Sequence, residues 1–318
     1  MIRVSHLTKR YGAHTAVSDL SFHIEKGAVY GFLGPNGAGK STTMNILTGC
    51  LAATEGEVLI AGHNILLQPM EAKRHIGYLP EIPPVYMDMT PGEYLKFVLE
   101  AKGVPRSEHQ KQLKDAMEKT GITHMKNRLI RNLSKGYRQR VGIAQALLGN
   151  PEIIILDEPT VGLDPVQIIE IRELIRELGK EHTVILSSHI LSEVESVCDS
   201  LLIIVNGKLL AADTKENLTR HFEGESKLHL LIRGDEEQAR AALSEVSGAV
   251  CIRMEETDEQ GVLHATVVSG MQEDIREKVF AAFAKQQVPL LEMRTDRPTL
   301  EQMYLDMTAQ ASGKGEEA

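Results

Sequence analysis

Cysteine is scarce in this chain of 318 residues, and Cys50, Cys198 and Cys251 are odd in number and far apart. That pattern supports neither a disulfide framework nor a zinc site. The twelve histidines show no His-Glu-x-x-His spacing, which removes a common metallohydrolase signature. No apolar run reaches the roughly 18 to 20 residues needed to cross a bilayer. Arg3, His6, Lys9 and Arg10 interrupt the first ten residues, unlike a secretory signal. The expectation is a cytoplasmic chain, with any membrane connection made through a partner. A basic surplus is also missing. Residues 1–215 hold 24 Lys or Arg against 24 Asp or Glu, and residues 216–318 hold 11 against 20, so the net charge of -9 falls in the C-terminal third. Such a surface suits neither nucleic acid nor anionic lipid, and no nucleic-acid partner is expected.

What is present describes a folded protein, 42% hydrophobic and 25% charged, long enough for one large and one small domain. Apolar or alternating runs at 2–7, 29–33, 56–60, 76–79, 153–156, 183–187 and 201–205 read as strands. Those at Ile153 and Leu201 are nearly continuous in Ile, Leu and Val, as in strands covered on both faces. Asn206-Gly207 then turns into 208–211 as an edge hairpin. Between them, at about 91–148, Pro91 and the stripes Leu95, Val98, Leu99 and Leu113, Ala116, Met117 predict a helical insertion. The first domain is placed at 1–217. From 226 to 308 the order β-α-β-β-α-β is that of a ferredoxin-like unit, and 309–318 reads as a flexible tail.

The chemistry concentrates in Gly34-Pro35-Asn36-Gly37-Ala38-Gly39-Lys40-Ser41-Thr42, which follows the apolar run Val29 to Leu33. Gly-x-x-x-x-Gly-Lys-Ser is the full P-loop spacing. Its glycines let consecutive N–H groups converge, and a helix starting near Lys40 adds its positive end, so a triphosphate meets both donors and field. Lys40 supplies a cation and Ser41 a hydroxyl for Mg²⁺. Asp157 ends the run Ile153 to Leu156, where a carboxylate can reach the metal shell. Glu158 can deprotonate a water in line with the γ-phosphate.

With Leu133-Ser134-Lys135-Gly136 preceding Asp157-Glu158, the set resembles the nucleotide-binding subunit of ATP-binding cassette (ABC) transporters. It is most similar to the ABC-2-type exporter branch of drug, lipid or bacteriocin-resistance exporters. Gly34 to Thr42 matches Walker A, Ile153 to Glu158 Walker B, Leu133 to Gly136 the signature, Gly162-Leu163-Asp164 the D-loop and Ser188-His189 the switch. The resemblance covers residues 1 to about 215. It implies a P-loop α/β fold of the ABC ATPase type and ATP with Mg²⁺ as ligands. Asn36, Gly37, Gly39, Lys40, Ser41 and Thr42 would hold the phosphates, and Tyr11 would stack on adenine. His189 would bond the γ-phosphate and keep Glu158 in place. Ser134 reads on its own as a helix cap; the resemblance directs it and Gly136 at the ATP of a second subunit, an identical copy sufficing. Asp164 would form a contact across that pair.

Three positions depart from the common pattern. Lys135 and Tyr137 stand in the signature where glycine and glutamine are usual, and Lys135 either strengthens phosphate attraction or projects into solvent. Glu81 stands at the Q-loop glutamine, as a third metal-site oxygen or an exposed loop residue. The apolar segment Pro83 to Met89 either lines a groove for a transmembrane permease, docking near Glu81–Met89, or packs the insertion. The expected function is to power export through that permease by ATP-driven pairing. The alternative is a soluble ABC-type ATPase acting on DNA or ribosomes, although fewer than a hundred residues without heptads separate Lys40 from Ser134.

Overall fold

The computed structural model describes residues 1–221, 226–257, 259, 261–269, 274–296 and 299–313. They divide into two compact units, Met1–Lys215 with the chain end from Met307, and Glu216–Asp306. The first unit opens with β1 (Ile2–Tyr11), β2 (His14–Ile24), β3 (Val29–Leu33) and α1 (Lys40–Leu47). Next come β4 (Glu55–Ile60), the short β5 (His63–Asn64), α2 (Pro69–Arg74) and β6 (Ile76–Leu79). Three helices, α3 (Pro91–Ala101), α4 (Arg106–Lys119) and α5 (Lys135–Leu147), precede β7 (Ile153–Asp157). The unit continues through α6 (Pro165–Gly179), β8 (Thr183–Ser188), α7 (Leu191–Val197), β9 (Ser200–Val205) and β10 (Lys208–Thr214).

Local chemistry accounts for the helix starts near the site. Thr90 and Glu93 form a reciprocal capping box ahead of Pro91 on α3. Ser134 caps α5 and Asp164 caps α6, with Pro165 in the first turn of α6. The strands form two sheets, an antiparallel β2-β1-β4-β5 and a six-stranded β10-β9-β3-β8-β7-β6. All neighbours in the second are parallel except the β9–β10 hairpin. Every residue of β7 is buried, as its unbroken apolar run requires. The α/β fold with a helical insertion is the one expected.

β2 is not among the strands that the sequence predicts. In β1 the buried positions Ile2 and Val4 give way to Leu7, and in β2 Val17 is followed by Leu20 before Phe22 and Ile24. Both breaks of the two-residue period coincide with left-handed residues, His6 at φ 51° and Asp19 at φ 53°. These two bulges face each other, with His6 Nδ1 2.8 Å from Asp19 Oδ1.

After α8 (Lys215–His221), the second unit runs β11 (Ser226–Arg233), α9 (Glu236–Ser244), β12 (Ala249–Glu256), β13 (Val262–Ser269), α10 (Arg276–Lys285) and β14 (Leu290–Asp296). Its antiparallel sheet, β12-β13-β11-β14, has the ferredoxin-like order. Leu228, Leu230 and Ile232 of β11 pack with Ala239, Leu243, Val279 and Phe283 from the two helices in one core. The final helix α11 (Leu300–Gly313) runs into the segment expected to be a tail. Residues 314–318 of that segment lie outside the described residues.

Gly77 of β6 sits beneath α5, where an added Cβ would press on the Ala146 carbonyl oxygen. Backbone cannot rotate away as a side chain can. Gly77→Ala is expected to lower stability by about 1–3 kcal/mol, measurable by urea denaturation, and to displace α5.

Candidate functional site

Strand order assembles the site. β8 lies between β3 and β7, pairing Leu33 with Ser188 on one side and Asp157 with Ser187 on the other. The loop after β3, the carboxylates ending β7 and His189 after β8 therefore meet at the carboxyl edge of one parallel sheet, where ligands of such folds bind. Gly39 starts α1 at φ 102°, and a Cβ there would collide with the Ala16 carbonyl. Only glycine fits that turn.

At the centre, Lys40 Nζ donates to the carbonyls of Gly34 at 2.8 Å and Pro35 at 3.2 Å. It also lies 3.5 Å from Glu158 Oε1, with both side chains under a tenth exposed. The other carboxylate oxygen, Oε2, is 3.0 Å from His189 Nδ1. Lys40, Glu158 and His189 thus form a connected row of charge and hydrogen bonds. Glu158 has φ 47°, an unusual conformation for a residue with a side chain. Its N–H donates to Ser187 Oγ at 2.9 Å, and that hydroxyl donates to Asp157 Oδ1 at 2.6 Å. Ser41 Oγ lies 3.4 Å from the same Asp157 oxygen.

These groups open on a cleft of about 590 Å³ lined by Tyr11, His14, Asn36, Gly37, residues 39–42, Glu81, Glu158, Val161 and His189. Tyr11 is 49% exposed, with Lys9 Nζ 5.2 Å from its ring centroid. Ser134, Gly136 and Asp164 line a different cleft, about 650 Å³, with Tyr137, Arg140 and Gln167. The expected residues therefore fall into two sets within one chain: Tyr11, Asn36, Gly37, Gly39, Lys40, Ser41, Thr42, Glu81, Glu158 and His189 in the first cleft, and Ser134, Gly136 and Asp164 in the second. Asp157 stands behind the first set.

Residues 17–161 match the family model described as ABC transporter. The linearmycin resistance ATP-binding protein LnrL of Bacillus subtilis (strain 168) is 31% identical over 309 residues, 97% of this chain and 98% of its own length. This chain belongs to the ABC transporter ATP-binding family. The bacitracin transport ATP-binding protein BcrA of Bacillus licheniformis is 43% identical over 213 residues, 66% of this chain and 68% of its own. A solved ATP-binding subunit of an ABC transporter, 32% identical, superposes with a TM-score of 0.64 over 70% of this chain and 93% of its own. The dimeric structure of MJ0796, described as a bacterial ABC transporter cassette, is 27% identical with a TM-score of 0.62, covering 67% of this chain and 98% of that one. The chain is thus an ATP-binding and ATP-hydrolysing ABC subunit.

The sequence reading passed over several residues that shape the subunit's site. Ser187 ties Asp157 to the Glu158 backbone. Glu193 of α7, only 6% exposed, accepts from Thr160 Oγ1 at 2.7 Å and Ser188 Oγ at 2.9 Å. It joins the segment after β7 to the end of β8. His14 lines the cleft from the start of β2, the strand that was missed. A signal for Glu193 was available, since a carboxylate sits among the apolar positions of a short helix. Cys198, buried beside Gly31, has its thiol pKa pushed up by burial and so offers no thiolate.

Ser187→Ala removes an acceptor from the Glu158 N–H and a donor from Asp157. Leaving buried partners unsatisfied is expected to cost about 1–3 kcal/mol, read from chemical denaturation. ATPase turnover should fall with it while nucleotide still binds.

Proposed function

We propose that this subunit powers export through a separate transmembrane permease, by pairing with a second copy of itself around ATP. The observation that carries the reading is the division of the expected residues between two clefts of a single chain. A triphosphate held by Lys40 and the loop Asn36 to Thr42 has Ser134, Gly136 and Asp164 available only from another protomer. Support comes from a second solved structure of MJ0796, which superposes with a TM-score of 0.61 over 67% of this chain and is described as a dimeric post-hydrolysis state bound to ADP and Pi.

Each residue then has a distinct role. Lys40 leaves the Gly34 and Pro35 carbonyls to bind the β- and γ-phosphates, while the N–H groups from Gly37 to Ser41 surround them. The Tyr11 ring stacks on adenine. Ser41 Oγ and Asp157 Oδ1, close together and both hard oxygens, fit Mg²⁺, and Glu81 in the same cleft adds a third donor. The metal, once bound, neutralises charge on the phosphates. Glu158 takes the proton of the attacking water through one carboxylate oxygen. His189, bonded to the other, fixes its orientation and reaches toward the γ-phosphate.

The permease-docking reading rests on the segment after Glu81. Tyr94 holds this segment, its hydroxyl lying 3.1 Å from the Pro84 carbonyl oxygen and 2.6 Å from Gln145 Oε1, the one proton shared between them. Met87 and Met89 carbonyls accept from Arg131 and Ile130. So pinned, the segment leaves Ile82 81%, Tyr86 52% and Met87 42% exposed, beside Phe97 at 41%. Tyr86 packs edge-on against Tyr94 and Phe97 yet keeps half its surface open. Such an apolar patch suits a short helix of a membrane subunit. No helix among the described residues is long and apolar enough to cross a membrane, so the subunit would sit peripherally on the cytoplasmic face. Export is the direction favoured by the resistance and transport proteins it resembles.

Glu158→Gln is expected to retain MgATP, lose turnover by at least about a hundredfold, and accumulate as a dimer in size-exclusion chromatography with MgATP. A variant that stays monomeric under saturating MgATP would sink the reading. Tyr86→Ser with Phe97→Ser should bind ATP normally but lose co-purification with a polytopic membrane protein. Undiminished co-purification would remove the docking assignment.

A further inference from the structure

The second cleft is walled by two different parts of the fold. α5 closes the helical insertion, whereas α6 follows β7 of the parallel sheet. Three side-chain contacts join the start of α5 to α6 and to the loop before it. The Gln167 carboxamide lies so close over Gly136 that a Cβ built there would fall 2.7 Å from Gln167 Cδ. Lys135 reaches the opposite way and sets its Nζ over Gly162. One turn deeper, Arg140 Nη2 donates to Glu170 Oε2 at 2.6 Å, and Arg140 Nη1 donates to the Thr120 carbonyl at 3.0 Å. The Arg140 side chain is 16% exposed but that of Glu170 is 50%, so the pair is shielded on the arginine side only.

The spacing is consistent along both helices. Gly136 and Arg140 lie one turn apart on α5, as Gln167 and Glu170 do on α6, so the contacts stack along a single seam. Gln167 is also fixed at its backbone, where its N–H donates to Asp164 Oδ1 at 2.9 Å. Ser134 is held more loosely, accepting from the Tyr137 N–H at 3.4 Å, which leaves its hydroxyl free to turn toward an incoming group. The two helix caps, Ser134 and Asp164, are thereby kept in register by neighbours outside the set expected to hold the phosphates.

We propose that Gln167 is a positioning residue that, with Lys135 and the Arg140–Glu170 pair, locks Ser134 and Asp164 into one rigid half-site. A second protomer then meets both groups in a single step. Lys135, at the position where the signature usually has glycine, is exposed to solvent and also brings its Nζ over Gly162. This inference rests on the paired-protomer reading above and identifies residues that reading does not use. The geometric reason is that a glycine on each element receives a side chain from the other. A side chain at Gly136 would displace the Gln167 carboxamide, and one at Gly162 would have to adopt a left-handed backbone at φ 68°.

The test uses the full chain carrying Glu158→Gln, with MgATP and a fluorescent ATP analogue as probes. Adding Gln167→Ala should leave the melting temperature and analogue binding by the single protomer unchanged within about twofold, but weaken pairing about tenfold by sedimentation. Gln167→Met, which keeps the length and bulk seated on Gly136, should restore pairing to within about twofold of the parent. Lys135→Ala combined with Gln167→Ala should weaken pairing by less than the product of the single effects, as expected of residues sharing one seam. The proposal falls if Gln167→Ala pairs like the parent, if it loses analogue binding together with pairing, or if Gln167→Met is as weak as Gln167→Ala. If the parent itself never pairs, the paired-protomer reading fails and takes this inference with it. A parent that pairs beside an unaffected Gln167→Ala removes this inference alone.

Discussion

The parallel pairing of β8 between β3 and β7 is the constraint on which the site depends. It sets the ends of three strands side by side, so the phosphate loop, the two carboxylates and the histidine need no long connections to meet. Because all three strands are covered on both faces, their register is held by packing as well as by backbone hydrogen bonds. The site inherits that rigidity. Ser187, inside β8, transmits it directly, since one hydroxyl contacts both the Asp157 carboxylate and the Glu158 backbone.

Rigidity matters most at Glu158, whose left-handed backbone is strained and persists only because its surroundings fix it. The Ser187 contact and the buried Thr160–Glu193–Ser188 network supply those surroundings. A buried carboxylate with two hydroxyl donors is a stable crosslink where a lone one would be costly. Sequence-distant residues of β7, β8 and α7 therefore behave as one support beneath the row Lys40, Glu158 and His189. The helical insertion is organised differently. It is attached through α5, whose N-terminal turn belongs to the second cleft and whose body packs on β6 near Gly77.

Most of the site is legible in the amino-acid sequence because its parts are local. The phosphate loop needs its glycines and lysine at fixed spacing, and each strand-ending motif announces itself by an apolar run followed by a polar residue. The helix caps Ser134 and Asp164 are similarly visible, since a cap is a matter of the next three residues. What escapes is whatever depends on pairing between distant segments. β2 is hidden because facing bulges at His6 and Asp19 break its alternation. Ser187 is hidden because a serine in a strand says nothing until its partner is known, and the carboxylate among the apolar positions of α7 marks Glu193 without naming its partners.

By itself, the sequence determined that this chain grips a triphosphate, that its fold is a P-loop α/β domain with a helical insertion, and that a ferredoxin-like unit follows. These properties follow from short-range spacing and periodicity, which the chain carries wherever its segments end up. Tertiary structure alone decided that the recognised residues divide between two clefts and that Gln167 seats on Gly136. It also decided which buried hydroxyls hold the carboxylates. Those are distances between residues remote in the chain, set by strand order and by the packing of α5 against α6, and no local pattern encodes them.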